Sequence, residues 1–343
     1  MSSPLDELLA TLGLGPVLFR PTGEPSFTVV VRTEGTRPDS LAEALASVAA
    51  QTQAPTETLV MVHSAGDQRD DGKADRVARA LEESAADLPP HLRTMAVEGG
   101  GRSRPLNAAL DEATGDYVAF LDDDDLALPT WVEAFARAAA DSPGAVIRAV
   151  CLSQDWTTEG GNQPVRPIGD TDRPFAPRFD LLAHLSHNET PICSVALPRP
   201  VLDQLGLRFD ETLPVFEDWE LVVRTAMITG VVSIADETSL YRRLDGGNAF
   251  TAVDEATWHR THAEVIARFR SRPVLLPSDS AHRLAAAHFD PDGDTGHQHR
   301  ADAIEASPWW RLTAGPRRLV TAVRRGRPRG QPPNNDRSND VDR

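Results

Sequence analysis

Four consecutive aspartates, Asp122 to Asp125, are the residues best suited to chemistry, because adjacent carboxylates repel one another and call for a counter-charge. A hard divalent cation, Mn²⁺ or Mg²⁺, takes such oxygen ligands and bridges them to a diphosphate. The other reading of the run is a solvated acidic turn or helix N-cap, and on residue types alone the two stand level. A second acidic pair, Glu217 and Asp218, opens a helical pattern that runs to Ile228 and stops at Gly230. Carboxylates there complement the positive end of a helix.

What precedes the aspartates gives them a place. Asp116 to Leu121 is an apolar strand that ends directly in the cluster, and in an open parallel sheet ligands bind outside the carboxyl ends of the strands. Upstream, the β-branched run Phe27 to Val31, the helical spacing of Leu41, Ala44, Leu45 and Val48, and the apolar run Thr58 to Val62 form a βαβ unit. The alternation continues through helical Ala74 to Ala86, a strand at Arg93 to Val97 and helical Pro105 to Thr114. Past the cluster come a helix opened by Pro129, a strand at Ala145 to Cys151, and an aperiodic Gly/Pro/Asp/Arg-rich loop from Thr157 to Arg178. A strand at Ile192 to Leu197, a short helix at Pro200 to Leu205, a last strand near Val231 to Ile234 and a helix over 254–270 complete the pattern.

Composition narrows the function. A chain of 343 residues, 40% hydrophobic, can bury a large core. A formal net charge of −16 excludes a body that grips nucleic acid through phosphates. Cys151 and Cys193 are too few for a disulfide framework and lie in no zinc spacing, which fits a reducing cytoplasm; no run reaches the length of a membrane span or has the form of a signal peptide.

The segment from Gly99 to Pro129, GGGRSRPLNAALDEATGDYVAFLDDDDLALP, resembles family 2 glycosyltransferases, with their Gly-rich turn, Asn-small-small, and Phe-Leu-Asp-x-Asp-Asp. The similarity begins with FTVVVRTEGTRPDSLAEALASVAAQTQAPTETLVMV at Phe27 to Val62 and returns in LRFDETLPVFEDWELVVR at Leu207 to Arg224. It implies an α/β, Rossmann-like GT-A fold: an open mixed sheet flanked by helices, with a C-terminal helical extension. The domains expected are a lead-in over 1–24, the GT-A glycosyltransferase domain over 25–250, the helical extension over 251–330 and a disordered tail over 331–343.

The resemblance further implies an inverting transfer from a nucleotide-sugar donor to a glycan or lipid-linked acceptor, in cell-surface polysaccharide or glycoconjugate synthesis. Asp122 and Asp124 match the metal-site motif, with Asp125 an extra or alternative ligand, and Asp122 and Asp123 lie on the donor. Asp218 is favoured as the base, and Glu217 stands equally as its helper or as a helix-end charge. Thr33 and Glu34, at the end of the first strand, are placed to contact the nucleotide. His63 and Asn107 are also expected on the donor, with two departures: His63 and Ser64 stand where the family often has an acidic pair, and Leu106 stands where Arg often precedes the Asn matched by Asn107. Arg102 and Arg104, slightly upstream, reach for a phosphate or form a solvated basic loop, and Tyr241, Arg242 and Arg243 follow the last core strand. Trp219 is read as packing. The competing readings are a non-catalytic nucleotide-sugar-binding relative and, ranked lower, a nucleotidyltransferase.

Two further features carry less chemistry. Asp290 to Gly296 opens like a calcium loop, but Thr295 and Ala301 stand where that loop needs Gly and Glu. Ser307 to Arg329 mixes Trp309 and Trp310 with many arginines, a composition for peripheral contact with the inner face of the membrane, though docking on the body is favoured.

Overall fold

The computed structural model describes residues 23–65, 70, 72–84, 87–159, 161, 164–245, 253–271, 274 and 283–284. All of these fall within Met1–Gly293. The lead-in helix, the calcium-loop look-alike, the basic tryptophan segment and the tail lie outside the described residues.

Among the described residues, nine strands form one mixed sheet. The first half is the expected parallel layer: β1 (Phe27–Thr33), α1 (Pro38–Ala49), β2 (Glu57–Ser64), α2 (Lys73–Glu83), β3 (Leu92–Glu98), α3 (Arg104–Glu112) and β4 (Tyr117–Asp122). β1 lies between β2 and β4, parallel to both, with Arg32 opposite Asp122 in the register. β1, β2 and β4 are buried on both faces, which is why each reads as an apolar run rather than an alternating one. Leu41, Ala44, Leu45 and Val48 make the buried stripe of α1, at the spacing that puts them on one helix face.

The starts of these strands are pinned by buried polar bonds. Glu57 accepts from Thr28 Oγ1 at 2.7 Å and from Thr114 N at 2.6 Å, and Asp116 accepts from Ser26 N at 2.9 Å. Gly115 sits so close to β1 that a Cβ there would lie 2.5 Å from the Thr28 nitrogen, so the turn into β4 needs glycine.

The second half is antiparallel and mixed: β5 (Leu126–Ala127), α4 (Trp131–Asp141), β6 (Val146–Thr157), β7 (Arg166–Asp172), the one-turn α5 (Leu181–His184), a 3₁₀ turn Ile192–Ser194, β8 (Val195–Pro198), α6 (Arg199–Gln204), α7 (Glu217–Thr229), β9 (Val231–Leu244) and α8 (Glu255–Arg270). Strand order is β3-β2-β1-β4-β8-β6-β9-β5, with β7 paired to β6. Three expectations are corrected here. The loop expected over Thr157 to Arg178 contains β7, whose residues are all exposed and so carry no apolar signature. The last strand runs on to Leu244, because its second half pairs with β6 through Trp156, and Tyr241, Arg242 and Arg243 therefore lie inside it. The strand expected from Ile192 begins only at Val195, after the 3₁₀ turn.

One core cluster lies between the sheet and the helices α3 and α7, including Val30, Leu59, Leu110, Phe120, Phe209 and Leu221. A second joins α7 to α8 through Phe216, Trp219, Val223, Val265 and Phe269. No helix among the described residues is long and apolar enough to cross a membrane.

Candidate active site

β1 and β4 end side by side, and their last residues build the site. Arg32, the one charge in the β1 run, donates from Nε to Asp122 Oδ1 at 2.9 Å and from Nη2 to Asp122 Oδ2 at 2.8 Å, a two-pronged pair. Its remaining nitrogen, Nη1, reaches Glu217 Oε1 at 3.3 Å and the Arg102 carbonyl at 3.1 Å. Arg102 Nε adds a 2.6 Å bond to the same Glu217 oxygen. One guanidinium thus ties the acidic cluster to the start of α7.

Asp123 is buried and accepts from Thr33 Oγ1 at 2.5 Å, and Thr33 Oγ1 in turn accepts from Gly35 N at 2.9 Å. Its other oxygen, Oδ1, lies 2.6 Å from Arg37 Nη2 but without hydrogen-bond geometry. Burial pushes the Asp123 carboxyl up to about 7 against the pull of Arg37, with the charge of Asp124 adding to the rise. Asp124 receives Arg37 Nη1 at 2.5 Å; its carboxyl is also raised, by burial against that pairing. Asp125 is buried, accepts from the Arg242 backbone N–H at 3.0 Å, and is pushed well above the carboxylate range by burial and the charge of Asp124.

These oxygens are of the chemistry that a hard divalent cation takes. Asp122 keeps 24% of its side chain exposed, Asp124 bonds the partly exposed Arg37 guanidinium, and Asp123 Oδ1 is a buried acceptor without a hydrogen bond, so the donor set is of a kind that fits a cation. Asp125, its carboxyl raised by burial and fixed by a backbone donor, suits it least. As the side chains stand, no group of three or more His, Cys, Asp or Glu among the described residues is gathered to hold a metal.

α7 presents the second acidic pair. Phe216, just before it, is left-handed at φ 69°, a strained conformation for a bulky residue, and its ring is fixed edge-on against Trp219 and Trp258. Trp219 is buried, as expected, and its Nε1 donates to the His184 carbonyl at 2.7 Å. Held this way, Glu217 turns inward to Arg32 and Arg102, whereas Asp218 stays partly exposed, with Oδ1 accepting from the Trp219 N–H at 2.7 Å. Burial and the neighbouring Glu217 carboxylate push the Asp218 carboxyl up to about 7, against the opposing pull of Arg102. A carboxylate of that basicity is matched to proton abstraction near neutrality.

The other sequence-derived candidates divide. Thr33 joins the cluster through Asp123, and Glu34 is exposed beside it. His63 is buried, with Nε2 bonded to the Gly99 carbonyl at 3.0 Å, so it ties the ends of β2 and the Gly-rich turn together. Arg104 is half exposed and lies 3.8 Å from Glu211. Asn107 spends its amide on the neighbouring loop: Oδ1 accepts from Phe209 N at 2.8 Å, and Nδ2 donates to the Phe209 carbonyl at 3.0 Å and to Glu211 at 3.1 Å. The residues that sequence reasoning did not assign are Arg32, Arg37 and Lys73, whose Nζ donates to the His63 carbonyl at 2.9 Å. Arg242 is fully buried and bonds the Asp124 carbonyl, Glu43 and Ser40, with its guanidinium 5.0 Å over the Trp156 ring.

The model of glycosyl transferase family 2 matches residues 26–197, half of the chain, and the protein belongs to that family. A glucosyl-dolichyl phosphate glucuronosyltransferase of Haloferax volcanii is 29% identical over 120 residues, 35% of this chain and 36% of that protein, so the match spans about a third of the relative's length. Among solved structures, S. aureus TarS 1-349 in complex with UDP-GlcNAc superposes with a TM-score of 0.51 at 20% identity, covering 84% of this chain and 83% of that one. That likeness carries the fold.

Proposed function

We propose that the chain transfers a sugar from a nucleotide-sugar donor to an acceptor hydroxyl with inversion at the anomeric carbon. The observation that carries this reading is Asp218: a partly exposed carboxylate of raised basicity, joined through Glu217 and Arg32 to the aspartates at the end of β4. Asp218 takes the acceptor proton as the new oxygen–carbon bond forms and the bond from that carbon to the diphosphate breaks. Glu217, bonded to two guanidinium groups, holds the arginines in place. Arg102, partly exposed beside it, is available to the leaving diphosphate.

Asp122 and Asp124 are the residues proposed to hold a divalent cation, Mn²⁺ or Mg²⁺, which when bound offsets charge on the departing diphosphate. Thr33, Glu34, Asp122 and Asp123 border the donor in this reading, and a nucleotide sugar of the class seen with S. aureus TarS is the partner. The acceptor is proposed to be a glycan or lipid-linked glycan, met at the cytoplasmic side of the membrane.

Nucleoside diphosphate release from a panel of nucleotide sugars, with Mn²⁺ and with chelator, tests the proposal. Turnover of at least one donor, lost on chelation, is expected. Donor binding without any turnover across a panel of acceptors would instead leave a nucleotide-sugar-binding protein.

A further inference from the structure

Three arginines neutralise the four aspartates, and they are held very differently. Arg242 is completely buried, makes bonds to the Asp124 carbonyl, Glu43 and Ser40, and lies over Trp156. Arg32 is 11% exposed and clamped between Asp122 and Glu217. Neither can leave without stranding a buried charge, which costs several kcal/mol. Arg37 is the exception. Its side chain is 20% exposed, it touches Asp123 and Asp124 by one nitrogen each, and only one of those contacts has hydrogen-bond geometry.

Its backbone does not depend on those contacts. Arg37 is the N-cap position of α1, with its carbonyl accepting from Leu41 N at 2.9 Å, and Pro38 follows as the first helical residue. Rotation about its side-chain bonds is enough to move the guanidinium into solvent while the helix start stays in place. Asp123 would keep Thr33, and Asp124 would be freed beside Asp122.

We propose that Arg37 is the displaceable counter-ion of the acidic cluster: a divalent cation entering at Asp122 and Asp124 must first turn its guanidinium out. This rests on the metal reading of those two aspartates given above. With the cation absent, the arginine offsets the mutual repulsion of the carboxylates. With the cation present, the two positive charges compete for Asp124, so cation binding to the free protein is weakened by the contact that must be broken. A charge-assisted hydrogen bond of this kind is worth about 1.5–3 kcal/mol, which corresponds to about a tenfold or greater change in an equilibrium constant.

The test is the affinity for Mn²⁺ alone, read from the paramagnetic signal of the unbound ion, in the full-length wild type, Arg37→Gln and Arg37→Lys. Arg37→Gln is expected to bind Mn²⁺ about tenfold more tightly than wild type and to gain more thermal stability from it. Arg37→Lys, which keeps the charge, is expected to fall between the two; this variant decides the matter if the glutamine protein does not fold. A purely structural arginine predicts equal or weaker Mn²⁺ binding in both variants, and that result overturns the proposal. The same titration with UDP present separates the two levels of the argument. Mn²⁺ binding by wild type that neither variant strengthens removes only the role of Arg37. No Mn²⁺ binding by any of the proteins, even with UDP, removes the metal site and this proposal together.

Discussion

Asp122 at the end of β4 and Glu217 at the start of α7 share one guanidinium, that of Arg32. The pairing makes the two acidic motifs, far apart in sequence, a single electrostatic unit. Replacing Arg32 by Gln leaves Glu217 with Arg102 alone and Asp122 without its partner, and breaking a buried pair of this kind costs about 3–5 kcal/mol. Chemical denaturation should show that loss. Arg32→Lys should recover little of it, since an ammonium cannot make the two-pronged bond and the Glu217 contact together.

Asp218→Asn should lower transfer by at least about 10²-fold while leaving the dissociation constant of the donor nearly unchanged, as expected for loss of a general base. Product release and donor titration on the same sample check it. A variant within a few-fold of wild-type turnover would exclude Asp218 as the base.

The raised carboxyl of Asp218 also fixes the direction of two pH effects. Transfer needs the ionised form, so kcat should rise with pH through about 7. Stability moves the other way. A carboxyl that holds its proton more tightly in the folded state favours folding fully only at acid pH, below its unfolded pKa of about 4. That contribution is lost as pH rises to about 7 and stays lost above it. Asp218→Asn should therefore be more stable than wild type at pH 8, by up to about 4 kcal/mol, with the difference vanishing towards pH 4. Thermal unfolding across that range measures it.

Gly115→Ala tests the frame rather than the site. The added methyl would sit 2.5 Å from Thr28 N and 2.8 Å from the Phe27 carbonyl carbon, both backbone atoms that cannot swing aside. A loss of about 1–3 kcal/mol is expected from overpacking, with a lower melting temperature and unchanged donor affinity in the fraction that remains folded.

The parallel half of the sheet was legible because strands buried on both faces are spelled in apolar residues, as in Val29 to Val31 and Val118 to Leu121. The acidic motifs were legible because carboxylates in runs are conspicuous. Their counter-ions were not. Arg32 reads as an interruption of FTVVVRT, and Arg37 as the solvated start of a helix; only the register that sets Arg32 opposite Asp122, and the packing of α1 against β1 and β5, reveal what they hold. β7 escaped because all its side chains face solvent, and the far half of β9 escaped because Tyr241, Arg242 and Arg243 mask its pairing with β6. The bonds of Asn107 to the Phe209 backbone leave no mark in sequence.

The position of Arg242 has a consequence for how the protein is made. The residue that caps Asp124 and Asp125 from below lies on β9, which inserts between β6 and β5 in the sheet and leaves the ribosome well after the aspartates do. A nascent chain that has completed β4 holds four crowded carboxylates with Arg32 and Arg37 for company, and the deepest of them stays uncovered until the last strand docks. The acidic centre is therefore complete only with a long-range contact, that of Arg242 on β9, and not through the local order of the segment that contains it.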